Sequence, residues 1–173
     1  MLFTGQAEAS IDQKDRLAIP SKYRSLWDAE RDGKAWMCVP WPGGILRLYT
    51  EAQFTALANQ VRGSLAPDED QAALDVTLFS AAERLEQDSN GRVRIPRHQL
   101  VMAGFVQDVP ESSEAGSDDS KSSPIPVMVA GARDRLEVWG RDVWKQTQTQ
   151  RFNALPTLVA RMGSRQSGGG GNG

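Results

Sequence analysis

Two five-residue segments carry the side chains best suited to chemistry. Asp12-Gln13-Lys14-Asp15-Arg16 and Asp88-Ser89-Asn90-Gly91-Arg92 each set an aspartate four residues before an arginine. An aspartate there can accept from backbone amides two residues on, as in an Asx turn. Arginine presents a planar fork that can bridge guanine O6 and N7 in the major groove, a geometry that lysine only approximates. A turn of this kind is a short, rigid finger with donors at its tip, here Lys14 and Arg16. The same residues also allow a plainer outcome, an Asp–Arg pair that closes the turn and contributes only ~0–1 kcal/mol at a surface. The lysine beside Arg16 and the repetition of the pattern tilt the balance toward an anion-binding tip.

Other chemistries find little material. Cys38 is the one cysteine and His98 the one histidine. Together they cannot build a zinc site, and a nucleophilic cysteine would need a base and an orienting group. Trp36, Met37 and Val39 around Cys38 read instead as a buried strand. The sequence offers no carboxylate pair, no Ser–His arrangement and no phosphate-binding loop. The C-terminal glycines lack the strand–helix context that such a loop needs. No catalytic residue, metal, cofactor or small-molecule substrate is expected.

The elements that must position the two motifs repeat with them. Asp12, Arg16, Ile19 and Pro20 align with Asp88, Arg92, Ile95 and Pro96 at one offset of 76 (88 − 12). Alternation in Ala7–Ile11 and Leu17–Ile19 frames the first motif, and Leu85–Gln87 with Val93–Ile95 frames the second. Asn90-Gly91 favours the positive φ of a tight hairpin. A short helical stretch follows each motif, 21–27 and then 97–103, with Gly104 as a stop. Two strands come next in each half, Ala35–Val39 with Ile45–Tyr49, and Val127–Ala130 with Arg135–Trp139. Each half then enters a helix with an aromatic anchor, Phe54 or Trp144, and Thr50 with Gln53 has capping-box spacing.

These later elements align at an offset of 90 (136 − 46), so the second half holds an insertion. It lies in 107–124, a serine-rich acidic stretch that cannot bury enough apolar surface to order itself. Between the halves, 68–79 reads as a helix and 81–87 as a strand. The expected division is a first β unit over 1–62, a helical connector over 63–80, a second unit over 81–152, and a flexible tail over 153–173.

Whole-chain properties narrow the function. The chain has 173 residues and a net charge of −2, with a pI near 5.5. A non-specific nucleic-acid coater would carry a basic face, so positive charge must here be confined to a few loops. No apolar run approaches the ~20 residues of a membrane span, and the start lacks the pattern of a signal peptide. A cytoplasmic protein without membrane contact is expected. Each half alone buries too little surface to be secure, so pairing of halves or oligomerisation is the natural remedy.

The motifs resemble the MraZ family. That family opens with a Phe-x-Gly segment, a D-x-K-G-R turn, an apolar strand ending in proline, and a Tyr-Arg pair. Here these are Phe3-Thr4-Gly5, Asp12–Arg16, Leu17–Pro20 and Tyr23-Arg24. Asp88–Arg92 and Leu136-Glu137-Val138-Trp139 carry the likeness into the second half, so that it covers roughly 1–150. Two positions depart from the pattern: Asp15 replaces the turn glycine, and Thr4 a basic residue.

The resemblance implies an α+β fold of two AbrB-like swapped-hairpin β units with short flanking helices, related by an internal pseudo-two-fold. It also implies subunits closed into a ring that binds double-stranded DNA at tandem repeats in the promoter of a cell-division and cell-wall gene cluster. The implied role is a repressor in the cytoplasm and on the nucleoid. The candidate DNA contacts are Arg16, Lys14, Arg92, Arg24, Lys22 and Arg94, with Asp12, Asp88 and Gly91 shaping the turns. The alternative from another class is a ring-forming scaffold with lost or altered DNA binding, motivated by Asp15, Thr4 and the acidic insertion.

Overall fold

A computed structural model describes residues 1–60, 67–107 and 123–167, with side chains described as far as 163. The chain divides into two compact units, Met1–Arg141 and Asp142–Gly173.

The first unit is built on eight strands: β1 (Gln6–Ile11), β2 (Arg16–Ala18), β3 (Ala35–Trp41), β4 (Ile45–Thr50), β5 (Glu83–Glu86), β6 (Arg92–Arg94), β7 (Ile125–Gly131) and β8 (Leu136–Gly140). Five helices interrupt them: α1 (Ser21–Arg24), α2 (Ala29–Asp32), α3 (Glu51–Gln60), α4 (Glu69–Ala81) and α5 (Arg97–Met102). All pairings are antiparallel, in the order β5-β3-β4-β8-β7-β1-β2-β6. An isolated bridge between Gln87 and Val93 joins the two outermost strands, so the sheet returns on itself. Closure of this kind leaves few unpaired strand edges. The fold is α+β.

The pairing links the two halves of the sequence. β2 pairs with β6 and β4 with β8, while β1 lies on β7 and β5 on β3. Neither half could complete its sheet alone. The expected strands recur in β3, β4, β7 and β8, because alternation places Leu46, Leu48, Val129 and Val138 fully inside. Phe3, Tyr23, Trp27 and Trp36 stack beneath them, with ring centroids 5.9–6.2 Å apart.

The connector helix begins one residue later than expected, because the Asp68 side chain serves as its N-cap and accepts from Gln71 N at 2.8 Å. Thr50 Oγ1 accepts from Gln53 N as the capping spacing predicts, at 3.3 Å. α2 was not read from the sequence. Asp28 caps it, accepting from the amides of Glu30 and Arg31. The serine-rich insertion falls largely on 108–122, outside the described residues.

The short helices hold the motifs in place through one buried polar side chain each. Tyr23 Oη lies 2.8 Å from the carbonyl of Gly5 and 3.3 Å from that of Val129. In the second half the same position, 76 residues on, is Gln99 (99 − 23). Its Nε2 donates to the carbonyls of Ala81 at 2.8 Å and Cys38 at 3.0 Å. Each helix thereby ties the entrance of one half's first strand to a strand of the other half.

α6 (Arg141–Ser167) forms the described part of the second unit. It is helical well past residue 153, where the sequence reading begins a flexible tail. No helix among the described residues is long and apolar enough to cross a membrane.

Candidate nucleic-acid interface

The two motif turns have the same geometry. In the first, Asp12 N donates to Arg16 O at 2.9 Å and Asp15 N to Asp12 O at 2.9 Å. In the second, Asp88 N donates to Arg92 O at 2.8 Å and Gly91 N to Asp88 O at 2.9 Å. Asp12 Oδ1 accepts from the amides of Lys14 and Arg16, as Asp88 Oδ1 does from those of Asn90 and Arg92. The second carboxylate oxygen takes Nε and Nη2 of the arginine, all at 2.8 Å. The aspartate thus writes the turn and clamps the arginine with one side chain.

The electrostatics follow from those bonds. Burial works against charge on Asp12, but the Arg16 guanidinium and the amides of Arg16 and Lys14 outweigh it and hold the carboxyl below its ordinary range. Asp88 is lowered chiefly by the Arg92 amide, with the Arg92 side chain and the Asn90 amide adding to it against a smaller desolvation effect. Both arginines keep about a third of their side chain exposed, 29% and 30%. A guanidinium has five N–H donors, and the aspartate occupies two of them. The clamp fixes the arginine without using up its fork.

β2 and β6 then bring the two turns onto one ribbon. Leu17 faces Val93, Arg16 faces Arg94, and Ala18 faces Arg92. Leu17 and Val93 point into the core, so Arg16, Arg92 and Arg94 share the outer side. Arg16 and Arg92 are diagonal neighbours, for which a Cα separation of about 7–8 Å is usual. Like charges placed directly opposite, as Arg16 and Arg94 are, destabilise a ladder. Arg94 makes no ion pair among the described residues. Gln13, Lys14, Asp15, Arg16 and Arg94 line an open cleft of about 430 Å³ at this end of the ribbon.

The remaining candidates divide. Arg24 lies across the second turn, with Nη1 donating to Asn90 O at 3.3 Å. A Cβ at position 91 would come within 2.3 Å of that Nη1, and Gly91 has φ 74°. Lys22 sits apart, donating to Gln6 O and lying 4.7 Å over the Tyr23 ring. Gln6 is at the far end of β1, roughly 17 Å from the turn at ~3.4 Å per residue. The sequence reading did not include Arg97, whose Nη1 meets Asp15 Oδ1 at 3.3 Å. Only the β2–β6 pairing brings it to the first turn, and nothing local in the sequence announces that. Cys38 is wholly buried and its thiol is pushed up by desolvation, as a core thiol should be.

A closed antiparallel sheet carrying two like Asp–Arg turns on a β ribbon defines an α+β protein with a cationic surface ribbon. Over most of its length the chain is similar to proteins named transcriptional regulator MraZ. It is 26% identical to that of Acetivibrio thermocellus over 93% of this chain and 96% of the relative. It is 28% identical to that of Legionella pneumophila over 86% of each, and 24% identical to that of Shewanella oneidensis over 84% of each. No family model matches the chain. Each of these relatives is named for a regulatory role.

Proposed function

We propose that the chain is a sequence-specific DNA-binding transcription regulator, contacting double-stranded DNA through the β2–β6 ribbon. The observation that carries this reading is Arg94 set opposite Arg16 with no acidic partner among the described residues. A like-charge pair is unfavourable in the free protein and becomes favourable against phosphate. A two-stranded ribbon fits the major groove. Arg16 and Arg92, held by Asp12 and Asp88, read base edges; Lys14 and Arg94 meet the backbone, while Arg24 braces the second turn. Asp15 does not cancel the tip, because Arg97 answers its charge.

The reading extends to a repressor that acts in the cytoplasm, on the nucleoid, at direct repeats ahead of a cell-division and cell-wall gene cluster. Two AbrB-like units, 1–62 and 81–152, exchange hairpins within each subunit, and the reciprocal pairings of β1 with β7 and β5 with β3 support that view. Subunits close into a ring that sets several ribbons on successive repeats, where avidity can exceed single-site affinity by ~10²–10⁴.

Fluorescence anisotropy with the chain's own upstream region, at stated salt, tests this. Arg16→Ala should weaken binding by about 1–3 kcal/mol and relax preference at one base. Three repeats should be bound far more tightly than one. Equal affinity of Arg16→Ala and the parent chain would remove the base-reading role.

A further inference from the structure

Each turn of the ribbon receives an arginine from the short helix of the other half. Arg24, on α1, crosses the second turn, and Arg97, on α5, meets the first. The internal repeat does not account for either. At the offset of 76 (97 − 21), Arg97 matches Ser21 and Arg24 matches Leu100, so neither has a basic counterpart. Arg24 fills the space beside Gly91. Arg97 is placed for something else.

Its position is set by rigid neighbours. Ile95 is fully buried, and its amide donates to Asp15 O at 2.8 Å. Pro96 fixes the next φ at −56°, and Leu100 anchors α5 in the core. The guanidinium itself is held loosely. Only Nη1 reaches Asp15 Oδ1, at 3.3 Å, whereas Arg16 and Arg92 each give two nitrogens to their aspartates at 2.8 Å. The Arg97 side chain is 58% exposed, against 29% for Arg16. An exposed pair of that kind adds little to folding, and a cation in the first turn of a helix opposes the helix dipole. Neither the turn nor α5 therefore accounts for an arginine at this position. Asp15 lines the cleft with Gln13, Lys14, Arg16 and Arg94, so its partner stands at that end of the ribbon.

We infer that Arg97 contacts a backbone phosphate of the bound duplex, beside Lys14 and Arg94. This rests on the reading of the ribbon as the DNA-binding surface and adds a residue to it. A fork clamped at two nitrogens keeps the fixed orientation that base edges demand. A guanidinium tethered at one can turn toward a phosphate and offer it four of its five N–H donors.

Fluorescence anisotropy of the full chain on its own upstream region, across a salt series, tests this. Arg97→Ala should make the slope of log affinity against log salt shallower by about one unit and weaken all sequences alike. Arg97→Lys should keep the parent slope, since a lysine also neutralises one phosphate. Asp15→Gly with Arg97→Ala separates the inference from simple neutralisation of Asp15. That double variant should stay shallow; a return to the parent slope would overturn the inference and leave Arg97 as a counter-ion for Asp15. A parent slope in Arg97→Ala, or relaxed preference at one base, would overturn it too. Lys14→Ala tells the two readings apart. A shallower slope there beside an unchanged Arg97→Ala ends only this inference, whereas no change in either variant ends the ribbon reading with it.

Discussion

The first and second motifs share their backbone, their aspartate clamp and their buried apolar residue, yet they place positive charge differently. At the tip, the first has Lys14 where the second has Asn90. On the strand, the second has Arg94 where the first has Ala18. Because β2 and β6 run antiparallel with Leu17 against Val93, Lys14 at the first tip and Arg94 fall at the same end of the ribbon. Two weakly charged copies therefore combine into one lopsided cationic end. The repeated turn supplies the scaffold, and the differences at two aligned positions give the ribbon a direction.

The turn residues offer the largest break in this symmetry. Both positions take positive φ, 58° at Asp15 and 74° at Gly91. Aspartate tolerates that conformation better than most residues, and Asp15 gains the Arg97 contact. Gly91 has the Arg24 side chain packed over it instead. Gly91→Val should cost about 2–3 kcal/mol, since a branched residue in the left-handed region is strained and Arg24 must also move. Asp15→Gly should stay within about 1 kcal/mol, because relief of the backbone offsets an exposed ion pair. Thermal melts of both variants decide it; equal losses would mean that the two turns are not differently supported.

The buried helix residues come second. Gln99 serves two carbonyls and is fully buried, although its own Oε1 has no partner among the described residues. Gln99→Ala removes two buried hydrogen bonds and opens space, a loss of about 2–3 kcal/mol. Tyr23→Phe should cost about 1 kcal/mol, because Gly5 O still accepts from Gly131 N at 2.8 Å. Denaturant midpoints should rank them in that order, and the reverse ranking would show that Tyr23 is the stronger tie.

Local pattern explains why much of this was legible. Alternation marks the long strands, and the repeated Asp-to-Arg spacing marks both turns. What stayed hidden depends on pairing between distant segments. Nothing near Arg97 says that it meets Asp15, 82 residues away, and nothing near Arg94 says that it faces Arg16. α2 was missed because four residues show no helical period; only the Asp28 cap marks it. The helical stretch of α6 beyond 153 was hidden by Pro156 and Gly163, both of which argue for an end.

Acid should loosen both turns, by an amount too small to unfold the chain. Asp12 and Asp88 are held below the ordinary aspartate value near 3.9. A lowered folded-state pKa means that the contribution is whole above that ordinary value and disappears as pH falls through the lower one. Melting temperature should therefore fall more steeply below about pH 4 in the parent chain than in Asp12→Asn with Asp88→Asn. Parallel curves would show that the clamps add nothing to stability.

The finest test exchanges the tip residues and reads only the salt dependence of DNA binding. A lysine that neutralises one phosphate releases about 0.9 counterion, so its removal lowers the slope of log affinity against log salt by about one unit. Lys14→Ala should do that while weakening all sequences alike, since a phosphate contact carries no base preference. Asn90→Lys builds the missing tip cation into the second turn, whose backbone already matches the first. If both tips reach the same duplex, the slope should rise by about one unit. If the ribbon meets DNA only at the Lys14–Arg94 end, Asn90→Lys should leave the slope unchanged while Lys14→Ala still lowers it. The directional ribbon predicts the second result, and a gain from Asn90→Lys equal to the loss from Lys14→Ala would show that the two turns meet DNA symmetrically.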